Sequence, residues 1–304
     1  MSLPTIEETL AAPVFNLTDL SLLGLMTLWG MNFVVVKASV AQFLPLGFTA
    51  LRFGLAALAL VIVARASRLS LRVSRADLGR LALLGLVGYV LYQPLFVLGL
   101  AYTTAGNSAI ILAISPAIVA VVNHVLSRER LSRRAWMGVG LSFGGLALVI
   151  VGSPRTLSLA PEFLLGDLMT LGAALCWAAY TVMTRPLVAR LPSLTVTTLS
   201  LVIGTSALFL IAVPSFLAQD WGLVNLSGWA GLSYSGLLAI GLGYAMWARG
   251  VQKLGGTRTA VYVNLPPVVA TLAGVWLLGE QITLVQLVGA AGVIGGILLT
   301  RLKS

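Results

Sequence analysis

The 304-residue chain is 59% hydrophobic and only 9% charged, whereas soluble globular proteins carry roughly 25% charged residues. This composition excludes an ordinary soluble enzyme, a disordered chain and a disulfide-rich secreted domain. The single cysteine and single histidine leave no basis for a thiolate metal site or His-rich catalysis, so we expect no cofactor, metal or catalytic residues. The net charge of +10 would fit nucleic-acid binding unless the cationic residues follow a membrane topology.

Apolar segments follow one another along the chain, each near the length of about 20 residues that crosses a bilayer as a helix. Together they predict an all-α integral membrane protein with ten transmembrane helices and an N-terminal tail at residues 1–18. The connections are too short for a separate soluble domain. The predicted helices 1 to 10 are residues 19–38, 43–64, 78–99, 105–126, 134–152, 166–188, 194–217, 227–248, 257–278 and 283–302.

The cationic residues divide unevenly between the two sides of the predicted bundle. Sixteen of the 19 Lys and Arg residues lie in alternate connections or at the C-terminus, two lie in the other connections, and Arg52 lies within helix 2. Because cationic residues accumulate in cytoplasmic loops, this distribution predicts that both termini are cytoplasmic. We therefore expect the lipid bilayer, and no nucleic acid, as a partner.

The chain also contains an internal repeat. Residues 115–132 (SPAIVAVVNHVLSRERLS) align with residues 266–283 (PPVVATLAGVWLLGEQIT) at an offset of 151, and an offset of 148 aligns earlier parts of the two halves. The chain thus divides into two repeats of five helices, 19–152 and 166–302, joined by an external connection at 153–165. The aligned pairs include Pro116 with Pro267, Glu129 with Glu280, Asp19 with Asp167, and Trp29 with Trp177.

Five helices is an odd number, so the second repeat would cross the membrane in the opposite direction to the first. Such a 5+5 inverted-topology repeat is common in secondary transporters, whose substrate sites lie near the midplane between the repeats. The alternative is a duplicated membrane scaffold that transports nothing.

The repeated motifs resemble the EamA-type drug/metabolite transporter family. The resemblance lies in the Pro…Glu-Arg-Leu…Gly…Gly-Gly pattern after Pro116, the Pro…Gly-Glu…Gly pattern after Pro267, and the stretch PLGFTALRFGLAALAL at residues 45–60. It covers nearly the whole chain as two EamA units. It implies a basket of ten helices, a central cavity lined by helices 1, 3, 4, 6, 8 and 9, and export from the cytoplasm.

Prolines interrupt predicted helices 4 and 9 at matched positions. Proline removes a helical hydrogen bond and clashes with the carbonyl four residues back, so Pro116, Pro266 and Pro267 should free carbonyls such as that of Leu112. Matched helix breaks predict a substrate site or gate. The alternative is a packing kink whose freed carbonyl accepts a hydrogen bond from a nearby Ser or Thr.

Aromatic and polar side chains share one face on several predicted helices, where they follow the helical spacing of three and four residues. Aromatic rings at this depth suggest positions facing protein or a cavity, although core packing is the alternative for each ring. The candidate substrate-binding residues are Trp29 and Asn32 on helix 1, Tyr89, Tyr92 and Gln93 on helix 3, Ser108 and Ser115 on helix 4, Trp177 and Tyr180 on helix 6, Tyr244 and Trp247 on helix 8, and Tyr262 and Asn264 on helix 9.

The predicted helices place no carboxylate and no lysine at the membrane midplane. Arg52 is expected to snorkel or to make a structural hydrogen bond to a carbonyl. The GxxxG spacings of Gly140–Gly144 and Gly292–Gly296 should allow close helix packing. We expect that packing within one subunit, so the protein would be a monomer or a weak homodimer.

These features predict a secondary transporter that exports small neutral or zwitterionic metabolites. The aromatic faces are similar to those of bacterial aromatic amino acid exporters, which implies amino acids as substrates and a multi-pass protein of the bacterial inner membrane. The first alternative is a broad exporter of hydrophobic drugs or purine-like metabolites. A membrane-embedded enzyme, such as a lipid transferase, is disfavoured because the sequence contains no catalytic cluster.

Overall fold

The computed structural model describes residues 17–126, 132–152, 161–254 and 262–301, and the regular structure in these ranges is helical throughout. Seven helices are long and apolar enough to cross a membrane, and two shorter ones are apolar as well. The helices are α1 (Leu17–Ser39), α2 (Pro45–Ala66), α3 (Arg75–Tyr102), α4 (Ala105–Val125), α5 (Arg133–Val151), α6 (Pro161–Val188), α7 (Ser193–Ala218), α8 (226–254), α9 (Leu265–Leu278) and α10 (Leu284–Arg301).

The prediction of an all-helical membrane protein is confirmed. The helices lie where the hydropathy of the sequence places them, within a few residues at most ends. The larger differences are at α6, which begins five residues before its predicted start, and at α8, which ends six residues after its predicted end. The predicted start of helix 9 at residue 257 lies outside the described residues. The crossing of ten helices in two inverted sets of five and the cytoplasmic position of both termini stay predictions.

Pro116 interrupts α4 as predicted. In α4 a turn at Ala113–Ile114 separates two helical stretches, and the Ser115 hydroxyl donates to the freed carbonyl of Leu112 at 2.7 Å. This hydrogen bond is the one that the packing-kink alternative expects, and a role of Pro116 in a substrate site or gate stays a prediction. Pro266 and Pro267 lie in the first turn of α9, directly after a 3-10 turn at Tyr262–Asn264, and the first turn is where proline costs no hydrogen bond.

Two helices contain π-helical turns that the sequence did not suggest. They span Leu86–Leu91 in α3 and Tyr234–Leu242 in α8. At the repeat offset of 148, Leu86 aligns with Tyr234, so the two segments begin at equivalent positions. Turns of this kind are rare and frequently mark functional sites.

Helices α5 and α10 pack backbone to backbone. A Cβ added to Gly145 would lie 2.6 Å from the Gly289 carbonyl oxygen, and one added to Gly296 would lie 2.4 Å from that of Gly138. A Cβ on Gly144 would meet nothing within 4 Å. The expectation that Gly140–Gly144 forms the packing face was therefore wrong, because a rotation of about 100° per residue turns the neighbouring Gly145 toward α10 instead.

We predict that Gly145→Ala lowers the melting temperature of the purified protein in detergent, whereas Gly144→Ala leaves it within error of the parent. The added methyl group of Gly145→Ala has no room beside α10, and overpacking of this kind costs typically 1–3 kcal/mol. Equal melting temperatures for the two variants would contradict the close α5–α10 contact.

Candidate functional site

Six aromatic side chains of α2, α3 and α6 contact one another in series and form what we call the aromatic cluster. The series is closed by a guanidinium, since the Cζ atom of Arg52 lies 5.1 Å from the ring centre of Phe53 and 5.6 Å from that of Phe96. The successive ring-centre distances are 5.6 Å for Phe53–Tyr89, 5.9 Å for Tyr89–Tyr180, 5.3 Å for Tyr180–Trp177, 5.4 Å for Trp177–Tyr92 and 5.9 Å for Tyr92–Phe96.

Helical spacing places these rings side by side. Tyr89 and Tyr92 are three residues apart on α3, and Trp177 and Tyr180 are three apart on α6, so each pair shares a face. Gly88 allows the two helices to meet, because an added Cβ would lie 2.3 Å from Tyr180. The hydroxyl groups of Tyr89 and Tyr180 are 3.2 Å apart and share a hydrogen bond. The predicted residues of helices 3 and 6 are thus brought together.

Arg52 is buried beside the aromatic cluster, where its side chain is 2% exposed. Its Nη1 donates to the Ser235 hydroxyl at 3.1 Å and its Nη2 to the Gln93 side-chain oxygen at 2.6 Å. It also lies within cation–π distance of Phe48, Phe53 and Phe96. Arg52 therefore does not snorkel, and the alternative expectation of a hydrogen bond to a carbonyl is met by the side-chain carbonyl of Gln93.

A second aromatic group joins α1 to α8. The Trp29 ring centre lies 5.6 Å from that of Trp247 and 6.4 Å from that of Tyr244. The Trp29 indole donates to the Ala239 carbonyl oxygen at 2.8 Å, within the π-helical turns of α8. Tyr244 also packs against the core that contains Tyr89, so this second group adjoins the aromatic cluster.

Other predicted site residues lie elsewhere. The Ser108 hydroxyl is 3.5 Å from that of Thr170, and Ser115 contacts the Ala174 carbonyl, so both lie between α4 and α6. The Tyr262 hydroxyl donates to Asp19 at 2.7 Å. The Asn32 side-chain oxygen is buried and has no hydrogen-bond partner. The side chain of Asn264 lies outside the described part.

A buried polar network between α4, α6 and α10 was not predicted from the sequence. Asp167 is fully buried and accepts hydrogen bonds from Thr103 at 2.5 Å and from Asn107 at 3.4 Å. Asn107 in turn accepts from Gln286 at 2.6 Å. Near the same point, Glu280 accepts from the first amide groups of α4. The repeat alignment of Asp167 with Asp19, which is also fully buried, was the available signal.

A cavity of about 170 Å³ lies between α4, α9 and α10. Its lining is mostly apolar and includes Asn107, Pro267 and Glu280. Ligand pockets usually enclose about 300–1,000 Å³, so this cavity is small for a metabolite. None of the aromatic cluster lines it, and the central cavity implied by the resemblance stays a prediction.

Comparison with known proteins identifies the family. The model of the EamA-like transporter family matches residues 16–151 and again residues 164–302. This chain belongs to the EamA-like transporter family. The resemblance found in the sequence is thereby confirmed, and the EamA-like chain is a multi-pass membrane protein from a family of transporters rather than of enzymes.

Its relatives cover nearly the full length of this EamA-like transporter. The uncharacterized transporter YyaM of Bacillus subtilis is 31% identical over 91% of each chain. The probable terminal-alkyne amino-acid exporter of Streptantibioticus cattleyicolor is 28% identical, covering 91% of this chain and 90% of its own. The probable amino-acid metabolite efflux pump of Salmonella typhimurium is 26% identical, covering 88% and 89%.

A solved structure described only as the crystal structure of a protein shares the fold. It superposes with a TM-score of 0.65 at 20% identity and covers 93% of this chain and 96% of its own.

We predict that Gln93→Ala lowers the melting temperature in detergent more than Gln93→Glu does. The alanine leaves a buried Arg52 donor without an acceptor, which costs about 1–3 kcal/mol, whereas the glutamate keeps an acceptor and adds a counter-charge. If Gln93→Glu melted at or below Gln93→Ala, the hydrogen bond from Arg52 would not hold α2 to α3.

Proposed function

We propose that this EamA-like transporter exports small neutral or zwitterionic metabolites, most of all aromatic and other neutral amino acids, across the bacterial inner membrane by alternating access. The observation that carries this proposal is the aromatic cluster, in which Tyr92, Trp177 and Tyr180 lie ring to ring between α3 and α6. Rings in this arrangement offer faces and edges that suit the ring of an aromatic substrate.

The chemistry of the cluster suits an amino acid. Aromatic faces attract an ammonium group within about 6 Å of the ring centre, and the half-buried Tyr92 and Trp177 present such faces. Phosphorylated solutes favour clusters of Arg or Lys, whereas Arg52 is the one buried cation among the described residues.

The same proposal assigns ten transmembrane helices in two inverted repeats, with both termini in the cytoplasm. It is supported by the distribution of cationic residues along the sequence and by the matched π-helical turns of α3 and α8. Two relatives whose names specify amino-acid export support the choice of substrate class.

A broad exporter of hydrophobic drugs or purine-like metabolites is the second candidate. The number of rings in the aromatic cluster favours it, because flat apolar compounds need stacking and few polar partners. The two candidates differ in whether the protein transports amino acids, and uptake into liposomes measures this.

Liposomes that contain only this protein should take up labelled phenylalanine, and Trp177→Ala should weaken that uptake. Ring stacking contributes about 0.5–1.5 kcal/mol beyond burial, which corresponds to roughly a 2- to 13-fold loss of affinity. Labelled alanine should be affected less, because it makes no ring contact.

The matched control is Trp276→Ala, which removes an indole that is 86% exposed and should leave uptake at the parental level. Melting temperatures recorded beside transport separate loss of a contact from loss of the fold. Parental phenylalanine affinity in a normally folded Trp177→Ala protein would contradict the role of the aromatic cluster, and uptake of hydrophobic drugs alone would favour the second candidate.

The topology is tested by labelling single cysteines in a Cys176→Ala background. Cysteines in the connections at 65–77 and 127–133 should react from the cytoplasmic side, and those at 218–226 from the external side. An impermeant thiol reagent applied to intact cells and to inverted vesicles makes the comparison. Termini found on opposite sides of the membrane would rule out ten crossings.

A further inference from the structure

Arg52 carries a charge into the interior of the helix bundle, and its partners there are neutral. It donates to Ser235 and Gln93 and lies against phenylalanine rings. No carboxylate within the described ranges contacts it. Its Nε donor is buried and has no hydrogen-bond partner. The guanidinium therefore lacks both a counter-charge and one acceptor.

A buried charge with these partners lowers the stability of the folded protein. A buried charge needs a partner to offset its lost hydration, and a buried donor without an acceptor adds a further cost. Ionisable groups inside membrane proteins are rare and mark substrate or ion pathways. A ligand that supplies a negative charge and an acceptor would correct both deficits of Arg52.

We propose that Arg52 binds the carboxylate of the transported substrate, an inference that rests on the proposed function for its choice of amino acids. A carboxylate facing Nε and Nη2 makes two parallel hydrogen bonds with the guanidinium fork. It replaces the Gln93 oxygen on Nη2 and supplies the missing acceptor to Nε. One guanidinium balances one carboxylate, whereas a phosphate group would bring a charge near −2.

The position of Arg52 also orients the substrate. The guanidinium closes the aromatic cluster between Phe53 and Phe96, and Tyr92 and Trp177 follow Phe96 along the series. A substrate anchored by its carboxylate at Arg52 can therefore extend its side chain toward Tyr92 and Trp177. This geometry selects molecules that carry a carboxylate and a ring a few bonds apart.

A substrate cannot reach Arg52 in this conformation, because the residue is only 2% exposed. Its two side-chain partners lie beside the π-helical turns, Ser235 within those of α8 and Gln93 just after those of α3. Entry of a carboxylate thus requires α3 or α8 to move away from α2. Release of the Gln93 hydrogen bond on binding would couple substrate occupancy to that movement.

The test uses 3-phenylpropionate and 3-phenylpropionamide, which share a ring and chain and differ at the carboxylate. Apparent affinities come from the rise in melting temperature of the purified full-length protein with each probe. The parent should bind the carboxylate at least about tenfold more tightly than the amide, as expected for charge-assisted hydrogen bonds. Arg52→Gln should abolish this preference. Arg65→Gln, at an exposed position on the same helix, should keep it.

Equal affinity of the parent for the two probes, or no binding of 3-phenylpropionate, would overturn the proposal. So would a preference that persists in Arg52→Gln. If Arg52→Gln does not fold, Gln93→Glu decides the question, because its carboxylate occupies Arg52 and should weaken 3-phenylpropionate binding at least about tenfold.

The test separates this inference from the proposed function. A preference for the carboxylate probe without uptake of phenylalanine into liposomes would refute amino-acid export and leave the Arg52 site standing. Phenylalanine uptake without a carboxylate preference would refute the Arg52 site alone.

Discussion

The interior of a membrane protein has little water to satisfy polar groups, so each buried donor must find its partner in the protein or in a ligand. Arg52 is the residue on which this constraint acts most strongly here. Its hydrogen bonds to Gln93 and Ser235 hold α2 to both α3 and α8, and its ring contacts place Phe53 and Phe96 at the ends of the aromatic cluster. The geometry of the proposed site follows from this one side chain.

The π-helical turns connect that site to the repeat. They begin at positions of α3 and α8 that are 148 residues apart, and each adjoins a hydrogen-bond partner of Arg52. A π turn disturbs the regular backbone ladder and leaves carbonyls available to other donors, as the bond from Trp29 to Ala239 illustrates. The two helices that would move apart to admit a substrate therefore carry matching local distortions.

Much of the fold could be predicted from the sequence, because hydropathy and helical spacing are local properties. They located the helices and grouped Tyr89 with Tyr92, and Trp177 with Tyr180, on common helix faces. The contact of Tyr92 with Trp177 depends on the packing of α3 against α6. The hydrogen-bond partners of Arg52 could not be predicted, since they include residues such as Ser235, which lies 183 residues away in the sequence. The same holds for Gly145, because the choice between it and Gly144 depends on the rotation of α5 against α10.

The binding of substrate at Arg52 is tested most directly by a crystal structure of the protein with phenylalanine bound. We expect a carboxylate within hydrogen-bond distance of Arg52 Nε and Nη2, the Gln93 oxygen displaced, and the phenyl ring against Tyr92 and Trp177. Phenylalanine bound between α4, α9 and α10, with the Arg52–Gln93 hydrogen bond intact, would contradict it.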